Sequence, residues 1–202
     1  MRRSLDFAPA LLGLALLAVF GAAAPGAKSA ESRLAVIELF TSQGCSSCPP
    51  ADALLAELGK RPDLITLSFS VDYWNYLGWR DTLSSPANSE RQRDYARRRG
   101  DGQVYTPQAV IDGVRHVNGS NEAAIEMAVR TAAEELGAAK VPVSMHAEDS
   151  TLVIEIGAAP EGSGKREATV WLAVAKDKET VAITRGENRG RTITYTHPVR
   201  EL

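Results

Sequence analysis

Short apolar runs predict four strands in the first part of the chain after the N-terminal thirty residues. The first two runs, residues 34–40 and 64–71, are rich in the β-branched and aromatic residues that suit a buried strand. The third run, residues 105–111, ends at the Asp112-Gly113 pair that is typical of a tight hairpin. Residues 115–117 are therefore the expected return strand.

Local patterns predict three helices between and after these strands. Apolar residues at helical spacing predict helices over residues 51–58 and 121–136. The helix over residues 89–99 is predicted from Glu90 in its first turn and from the three arginines that precede Gly100. Because Pro49 and Pro50 are tolerated only in a first helical turn, we expect the first helix to begin near Pro49. Asn88 or Ser89 is the expected cap of the second helix, and Ser120 that of the third.

From residue 141 onward the apolar residues alternate and no helical pattern remains. The alternation predicts five short strands, near residues 141–145, 152–156, 170–174, 181–183 and 193–195. A series of short strands is typical of a small β-sandwich. We therefore expect an α/β domain over residues 32–139 and a small all-β, sandwich-like domain over residues 140–202. Either the last strand lies at a sheet edge or the second domain is incomplete at its C-terminus.

The N-terminal thirty residues have the pattern of an export signal. Arg2 and Arg3 precede an uncharged apolar run and a stretch of small residues that suits cleavage between Ala22 and Ala30. We assign residues 1–30 to a signal peptide and a short linker. An uncleaved anchor, which would attach the protein to a membrane, is the alternative. Either way, the folded part is predicted to be periplasmic or secreted, where disulfides persist.

The net charge and the cysteine content restrict the classes of function that the chain can have. The chain has 202 residues and a formal net charge of −2, which argues against a general nucleic-acid binder. Cys45 and Cys48 are the only cysteines, and they lie where the first strand meets the first helix. A helix N-terminus favours a thiolate, so a redox-active pair is favoured. An inert disulfide and a metal site are the alternatives.

Two neighbouring features could take part in such a site. Glu38 lies in the first strand, where an ionised carboxylate is expensive to bury, so it is either paired or poised as a proton acceptor. Four aromatic residues follow the second strand: Tyr73, Trp74, Tyr76 and Trp79. They either pack as a loop or form an apolar lip that binds a partner polypeptide near Cys45.

Asp52 and Pro107 carry the remaining local signals. In the first helical turn Asp52 suits the helix dipole, but its charge would oppose a nearby thiolate. Pro107 heads an interior strand although it has no N–H for the ladder, and a cis Thr106–Pro107 bond in a tight turn is one explanation.

Four segments together carry a family resemblance over about residues 34–200. They are ELFTSQGCSSCPPAD, VDYWNYLGWRD, RQRDYA and YTPQAVIDG. Their combination resembles a family of bacterial secreted thioredoxin-like proteins of unknown function, and the order of elements resembles the thioredoxin fold, with a cysteine spacing similar to glutaredoxins. The resemblance implies a thioredoxin-like fold for residues 32–139. It also implies that Cys45 is the attacking thiol, that Cys48 is the resolving thiol and that Pro107 is a cis-proline facing them. The backbone of Thr106 would then pair with substrate polypeptide.

The predicted function is thiol–disulfide exchange on an extracytoplasmic protein. Cys45 would attack a substrate disulfide and Cys48 would resolve the mixed disulfide. We expect Cys45 to be exposed and Cys48 to be buried. We also expect no cofactor, no bound metal and no nucleic-acid partner. One alternative is a non-catalytic module that binds a partner through the β domain and the aromatic residues. Another is a copper-handling metallochaperone, since soft thiolates suit Cu(I).

Overall fold

The computed structural model of the chain describes residues 35–161 and 168–202, which belong to one unit, residues 32–202. The predicted signal peptide, residues 1–30, lies outside the described residues, so export and cleavage stay predictions. In the part of the chain that is described, no helix has the length and apolar character needed to cross a bilayer.

A mixed four-stranded sheet lies at the centre of this unit. Its strands are β1 (Ala35–Thr41), β2 (Leu64–Ser70), β3 (Gln108–Ile111) and β4 (Arg115–Asn118). The order is β2-β1-β3-β4, with β1 parallel to β2 and antiparallel to β3, and with β4 antiparallel to β3. Asp112 and Gly113 between β3 and β4 have φ values of 47° and 73°, so the predicted tight hairpin is confirmed.

The predicted helices are present, and two of their caps differ from expectation. They are α1 (Pro49–Leu58), α2 (Pro86–Arg99) and α3 (Glu122–Leu136). The start of α1 at Pro49 is confirmed. α2 is capped by Ser85, whose hydroxyl accepts from the Asn88 N–H at 3.2 Å. The predicted caps Asn88 and Ser89 are wrong because Pro86 suits the first turn of a helix, so α2 begins earlier in the chain than expected.

Asn121 caps α3, which corrects the second predicted cap. Its side-chain oxygen accepts from the Ala124 N–H at 3.0 Å. The predicted cap, Ser120, instead donates its hydroxyl to the Asn118 side chain at 2.7 Å. The Asn121 side chain, one residue later, reaches the free N–H groups of the first turn, which is the usual role of a cap.

The sheet separates two apolar cores because successive side chains of a strand point to opposite faces. Ile37 and Leu39 pack on one face with residues of α1 and α3. Phe40 packs on the other face with Phe69 and with Tyr95 of α2. The three helices are therefore divided between the two faces, and β1 runs between them.

The C-terminal residues form small two-stranded sheets. They pair β5 (Val143–Glu148) with β6 (Thr151–Ile156), β7 (Val174–Ala175) with β10 (Val199–Glu201), and β8 (Lys178–Ala182) with β9 (Thr192–Thr196). Four of the five predicted strands correspond to β5, β6, β8 and β9. The strand predicted near residues 170–174 is reduced to β7, and β10 was not predicted. The chain thus has a mixed α/β fold with a central mixed sheet and further small β-sheets.

Part of this C-terminal region packs directly on the central sheet and α1. The Ser68 N–H of β2 donates to the His197 carbonyl at 3.0 Å, and Val199 joins the core around Phe40. Tyr195 of β9 is almost fully buried. The division into domains at residues 139 and 140 stays a prediction, and the sandwich arrangement of the second domain is not what these two-stranded sheets show.

Gly119 gives a direct test of the packing at the end of β1. A Cβ atom at this position would lie 2.5 Å from Leu39 Cδ1 and 3.3 Å from the Cβ atoms of Ala51 and Pro107. Because these neighbours are buried, we expect Gly119→Ala to lower the free energy of unfolding by about 1–3 kcal/mol. Urea denaturation measures this, with the exposed Ser120→Ala variant as control. Equal stabilities of the two variants would contradict the packing described.

Candidate functional site

The turn after β1 carries both cysteines. A disulfide joins Cys45 and Cys48, whose Cα atoms lie 5.4 Å apart. The Cys45 N–H donates to the Ser42 carbonyl at 3.1 Å, and the Cys48 N–H donates to the Cys45 carbonyl at 3.2 Å. Cys48 is the residue immediately before α1. The predicted placement of the pair at a strand-to-helix junction is therefore confirmed.

Both cysteines are buried in this disulfide form. Cys45 is 2% exposed and Cys48 is 0% exposed, whereas Ser46 and Ser47 between them are exposed. The predicted burial of Cys48 is confirmed, and the predicted exposure of Cys45 is wrong for this form. The aromatic segment packs against the same turn, since a Cβ atom at Gly44 would lie 3.1 Å from Trp74 Cβ.

Asn188, in the loop between β8 and β9, binds the cysteine turn from its buried side. Its amide nitrogen donates to the Gln43 carbonyl at 2.9 Å and to the Cys45 carbonyl at 2.8 Å, and the residue is 1% exposed. The sequence indicated only a turn at residues 188–190. Nothing local marks an asparagine there as a partner of a segment more than 140 residues away, so sequence analysis missed it.

Three residues of the segment after β2 complete the support of this turn. The Asp81 carboxylate accepts from the Gln43 N–H at 2.8 Å. The Trp79 indole donates to the Gln43 side-chain oxygen at 2.8 Å. The Thr82 N–H donates to the same side-chain oxygen at 3.2 Å. Gln43 is fully buried, and its backbone and side chain are held by four residues from two distant parts of the chain.

Asp52 lies one helical turn after Cys48. Its N–H donates to the Cys48 carbonyl at 3.1 Å, so the two residues occupy the same face of α1. Asp52 is 3% exposed, and neither carboxyl oxygen has a hydrogen-bond partner among the described residues. Burial raises the pKa of Asp52 to about 7. The nearby Thr41 hydroxyl opposes this shift, and the Asp81 carboxyl adds to it.

Asp81 and Tyr195 share this buried polar region. Burial raises the pKa of Asp81, although its carboxylate accepts from the Gln43 and Leu83 N–H groups. Burial and the two carboxyl groups also raise the pKa of Tyr195. The hydroxyl of Tyr195 has no partner among the described residues. Asp52 and Asp81, whose carboxyl groups are both buried, are therefore hydrogen-bonded to the backbone of the cysteine turn, and burial raises the pKa of both.

Three of the four aromatic residues predicted to contact a substrate are tied to the protein by hydrogen bonds. The Tyr73 hydroxyl donates to the Gln92 side chain at 3.1 Å. Trp79 contacts Gln43 as described above. Tyr76 is 78% exposed. The packed-loop alternative therefore holds for most of this segment, and substrate binding by these aromatic residues stays a prediction.

The remaining aromatic residue, Trp74, brings two predicted site segments together. Its indole donates to the Thr106 hydroxyl at 2.8 Å. The Thr106–Pro107 bond is cis, as predicted. Pro107 is buried, and its carbonyl accepts from the Gly119 N–H at 3.0 Å. Because Gly119 fits between Pro107 and Ala51, Pro107 lies beside the first turn of α1.

Glu38 belongs to the other face of the sheet. Arg91 donates to its two carboxylate oxygens at 2.6 and 2.7 Å, and the Tyr95 hydroxyl donates to one of them at 2.6 Å. The structure therefore shows the paired alternative for Glu38. Glu38 faces α2, whereas the side chains that precede and follow it in β1 face α1, so the geometry gives no support to its predicted catalytic role.

Metal binding by the two cysteines depends on whether their disulfide is formed. Over residues 35–161 and 168–202, no three side chains of His, Cys, Asp or Glu lie together so that they could hold a metal ion. The sulfurs of Cys45 and Cys48 are bonded to each other. The predicted absence of a metal and the copper-handling alternative both stay predictions.

Comparisons with known proteins support the resemblance to a family of unknown function and add neither its thioredoxin-like character nor an activity. Residues 36–202 match the family described as protein of unknown function (DUF1223). The chain belongs to this family. It is similar to the crystal structure of the protein AGR_C_4864 from Agrobacterium tumefaciens, with 40% identity and a TM-score of 0.70 over 83% of this chain and 70% of that one. No curated protein matches it.

The buried carboxyl group of Asp52 makes the stability of this family member depend on pH. Because folding raises the pKa of Asp52 from 3.8 to about 7, the folded state holds a proton that the unfolded state releases in this window. The free energy of unfolding should therefore fall as the pH rises from about 4 to about 7, by on the order of 4 kcal/mol for such a shift. Asp52→Asn should remove most of this fall, and Asp81 contributes a fall of the same sign.

Urea denaturation of the oxidised protein between pH 4 and pH 8 measures the effect. We expect Asp52→Asn to be more stable than the wild type at pH 8, with the difference shrinking toward pH 4. The exposed Glu134→Gln variant is the control and should follow the wild-type curve. Parallel curves for the wild type and Asp52→Asn would show that Asp52 ionises normally in the folded protein.

Proposed function

We propose that the protein is an exported thiol–disulfide oxidoreductase that acts on extracytoplasmic polypeptides. The observation that carries this proposal is the position of the Cys45–Cys48 disulfide, between the end of the central strand β1 and the first residue of α1. The N–H groups of a helix N-terminus stabilise negative charge, so a thiolate formed here is favoured over one in a loop.

The arrangement of elements supports a thioredoxin-like fold for the first part of the chain. β1 lies between a parallel partner, β2, and an antiparallel partner, β3. Helices cover both faces of the sheet, and Pro107 reaches the first turn of α1 from the start of β3. These are the features that the thioredoxin resemblance implies, and they bring Thr106 and Pro107 toward the cysteine turn.

In the proposed reaction the reduced protein transfers two electrons to a substrate disulfide. The Cys45 thiolate attacks one substrate sulfur, the substrate S–S bond breaks, and the departing sulfur leaves as a thiolate that takes up a proton. Cys48 then loses its proton and attacks the Cys45 sulfur, which releases the second substrate sulfur and re-forms the Cys45–Cys48 disulfide. The same steps in reverse oxidise a substrate dithiol.

Asp52 is the group that we assign as proton acceptor for Cys48. It lies on the same helix face one turn away, and its pKa of about 7 suits a proton transfer near neutral pH. Neither carboxyl oxygen is engaged in a hydrogen bond with a described residue, so both can accept a proton. In this assignment Asp52 takes the place that the sequence suggested for Glu38.

The burial of Cys45 favours a second candidate function. A sulfur in a residue that is 2% exposed cannot be attacked until the turn at residues 42–45 opens. If this turn never opens, the disulfide only supports the fold and the protein is a binding module. The largely exposed Tyr76 would then contribute to its contact surface.

Trapping of a mixed disulfide distinguishes the two functions. Reduced Cys48→Ser should accumulate a covalent adduct with a disulfide-containing peptide, because Cys45 can attack and no resolving thiol remains. Reduced Cys45→Ser should form at least about tenfold less adduct, since the remaining thiol is fully buried. Intact-mass spectrometry measures both.

Three outcomes of this experiment are informative. The reverse pattern would exchange the roles of the two cysteines. No adduct with either variant, together with a disulfide that resists excess dithiothreitol in the native wild type, would favour the binding module. Adduct with Cys48→Ser alone would support the proposed reaction.

A further inference from the structure

The loop between β8 and β9 is a fixed part of the surface beside the disulfide. Its ends are joined by hydrogen bonds from the Ile183 N–H to the Arg191 carbonyl at 2.9 Å and from the Gly190 N–H to the Ile183 carbonyl at 2.8 Å. Asn188, at its centre, binds the backbone of Gln43 and Cys45. Residues 185–191 therefore cannot move far from Cys45 while these bonds are formed.

The same loop touches the segment that carries Trp79. Gly186 has a φ of 75°, and a Cβ atom there would lie 3.1 Å from Trp79 Cβ. The loop and the segment therefore contact each other, and both bind Gln43 of the cysteine turn, which exposes Ser46 and Ser47.

This surface carries four exposed arginines, which we call the arginine rim. They are Arg80, Arg185, Arg189 and Arg191. Across residues 35–161 and 168–202, none of their side chains forms a hydrogen bond or an ion pair. The one exposed carboxylate in the loop is that of Glu187, and Asp81, next to Arg80, is buried. The rim therefore has an excess of positive charge.

Most arginines of α2 have an acidic partner. Arg91 is paired with Glu38, Arg93 and Arg97 with Glu90, and Arg99 with Asp101. Arg98 and Arg130 form no ion pair among the described residues either, so the rim is distinguished by its position, on the two segments that bind the cysteine turn through Gln43. Four arginines without an acidic partner, next to the single disulfide, present guanidinium groups that can each bind a carboxylate in bidentate geometry.

We propose that the arginine rim binds an acidic stretch of a partner polypeptide and holds it against the cysteine turn. The inference deepens the proposed function, on which it rests for the exchange step but not for binding. A polypeptide is favoured over a nucleic acid or an anionic membrane because the rim adjoins a disulfide, whose exchange partner is a cysteine-containing chain, and because the protein as a whole is weakly acidic. Complementary charge would mainly accelerate encounter and select among partners.

Binding to the oxidised protein tests the rim without any redox step. The probes are two fluorescein-labelled peptides of equal length, one with six glutamates and one with six lysines, measured by fluorescence anisotropy. The double variant Arg185→Gln/Arg189→Gln removes two rim charges. The control Arg130→Gln/Lys178→Gln removes the same charge from exposed positions on α3 and at the start of β8.

We expect the wild type to bind the glutamate peptide and to reject the lysine peptide, with an affinity that falls as salt rises. The rim variant should lose about tenfold in affinity and the control less than about twofold. Equal affinities of the rim and control variants, equal binding of both peptides, or tighter binding of anionic phospholipid vesicles or of a single-stranded oligonucleotide would overturn the proposal.

Exchange kinetics separate this inference from the proposed function. The reduced wild type is mixed with two disulfide peptides, one flanked by glutamates and one by lysines. Faster exchange with the acidic peptide, lost in the rim variant, supports both proposals. Exchange at equal rates overturns the rim as a selector and leaves the proposed function standing. Selective binding without any exchange supports the rim and overturns the proposed function.

Discussion

The hydrogen bonds to the backbone of Gln43 and Cys45 are the constraint on which the rest of the site depends. Asn188 donates to both carbonyls, and Asp81 accepts from the Gln43 N–H. A buried peptide group without a partner costs free energy comparable to a lost hydrogen bond. The turn can therefore stay buried only while two distant segments remain docked. This requirement couples the surroundings of the disulfide to the C-terminal part of the chain, whose strands otherwise form only small sheets.

The two buried carboxyl groups near β1, those of Glu38 and Asp52, have opposite electrostatic surroundings. Glu38 is compensated by Arg91 and by the Tyr95 hydroxyl, so its charge is matched where it lies. For Asp52 only the nearby Thr41 hydroxyl opposes the effect of burial, and its pKa is raised to about 7. The same penalty for burying an ionised group thus produces an ion pair on one face of the sheet and a proton-binding group on the other.

The sequence predicted what depends on local pattern and missed what depends on distant partners. The strands and helices around the cysteines follow from periodicity and turn residues, and the hairpin at Asp112-Gly113 follows from backbone preference. The exposure expected for Cys45 was wrong because the turn that carries it is bound to Asn188 and packs against Trp74, two residues far from it in the sequence. Glu38 was correctly identified as expensive to bury, but its partner on α2 could not be known without the fold. The strand near residues 170–174 was overestimated because an alternating pattern becomes a strand only where a neighbour supplies hydrogen bonds.

Reduction of the disulfide would place a new titratable group in the region that already holds Asp52 and Asp81. Cys48 is fully buried, and a thiolate there would add a negative charge beside groups whose own ionisation is suppressed by burial. Because like charges destabilise each other in a desolvated site, we expect reduction of the disulfide to be coupled to uptake of a proton at Cys48. The other side of the turn is different, because its exposed residues, Ser46 and Ser47, are uncharged, and the loop bound to the turn through Asn188 carries the exposed Arg185, Arg189 and Arg191. The disulfide therefore lies between buried carboxyl groups on one side and a loop with an excess of positive charge on the other.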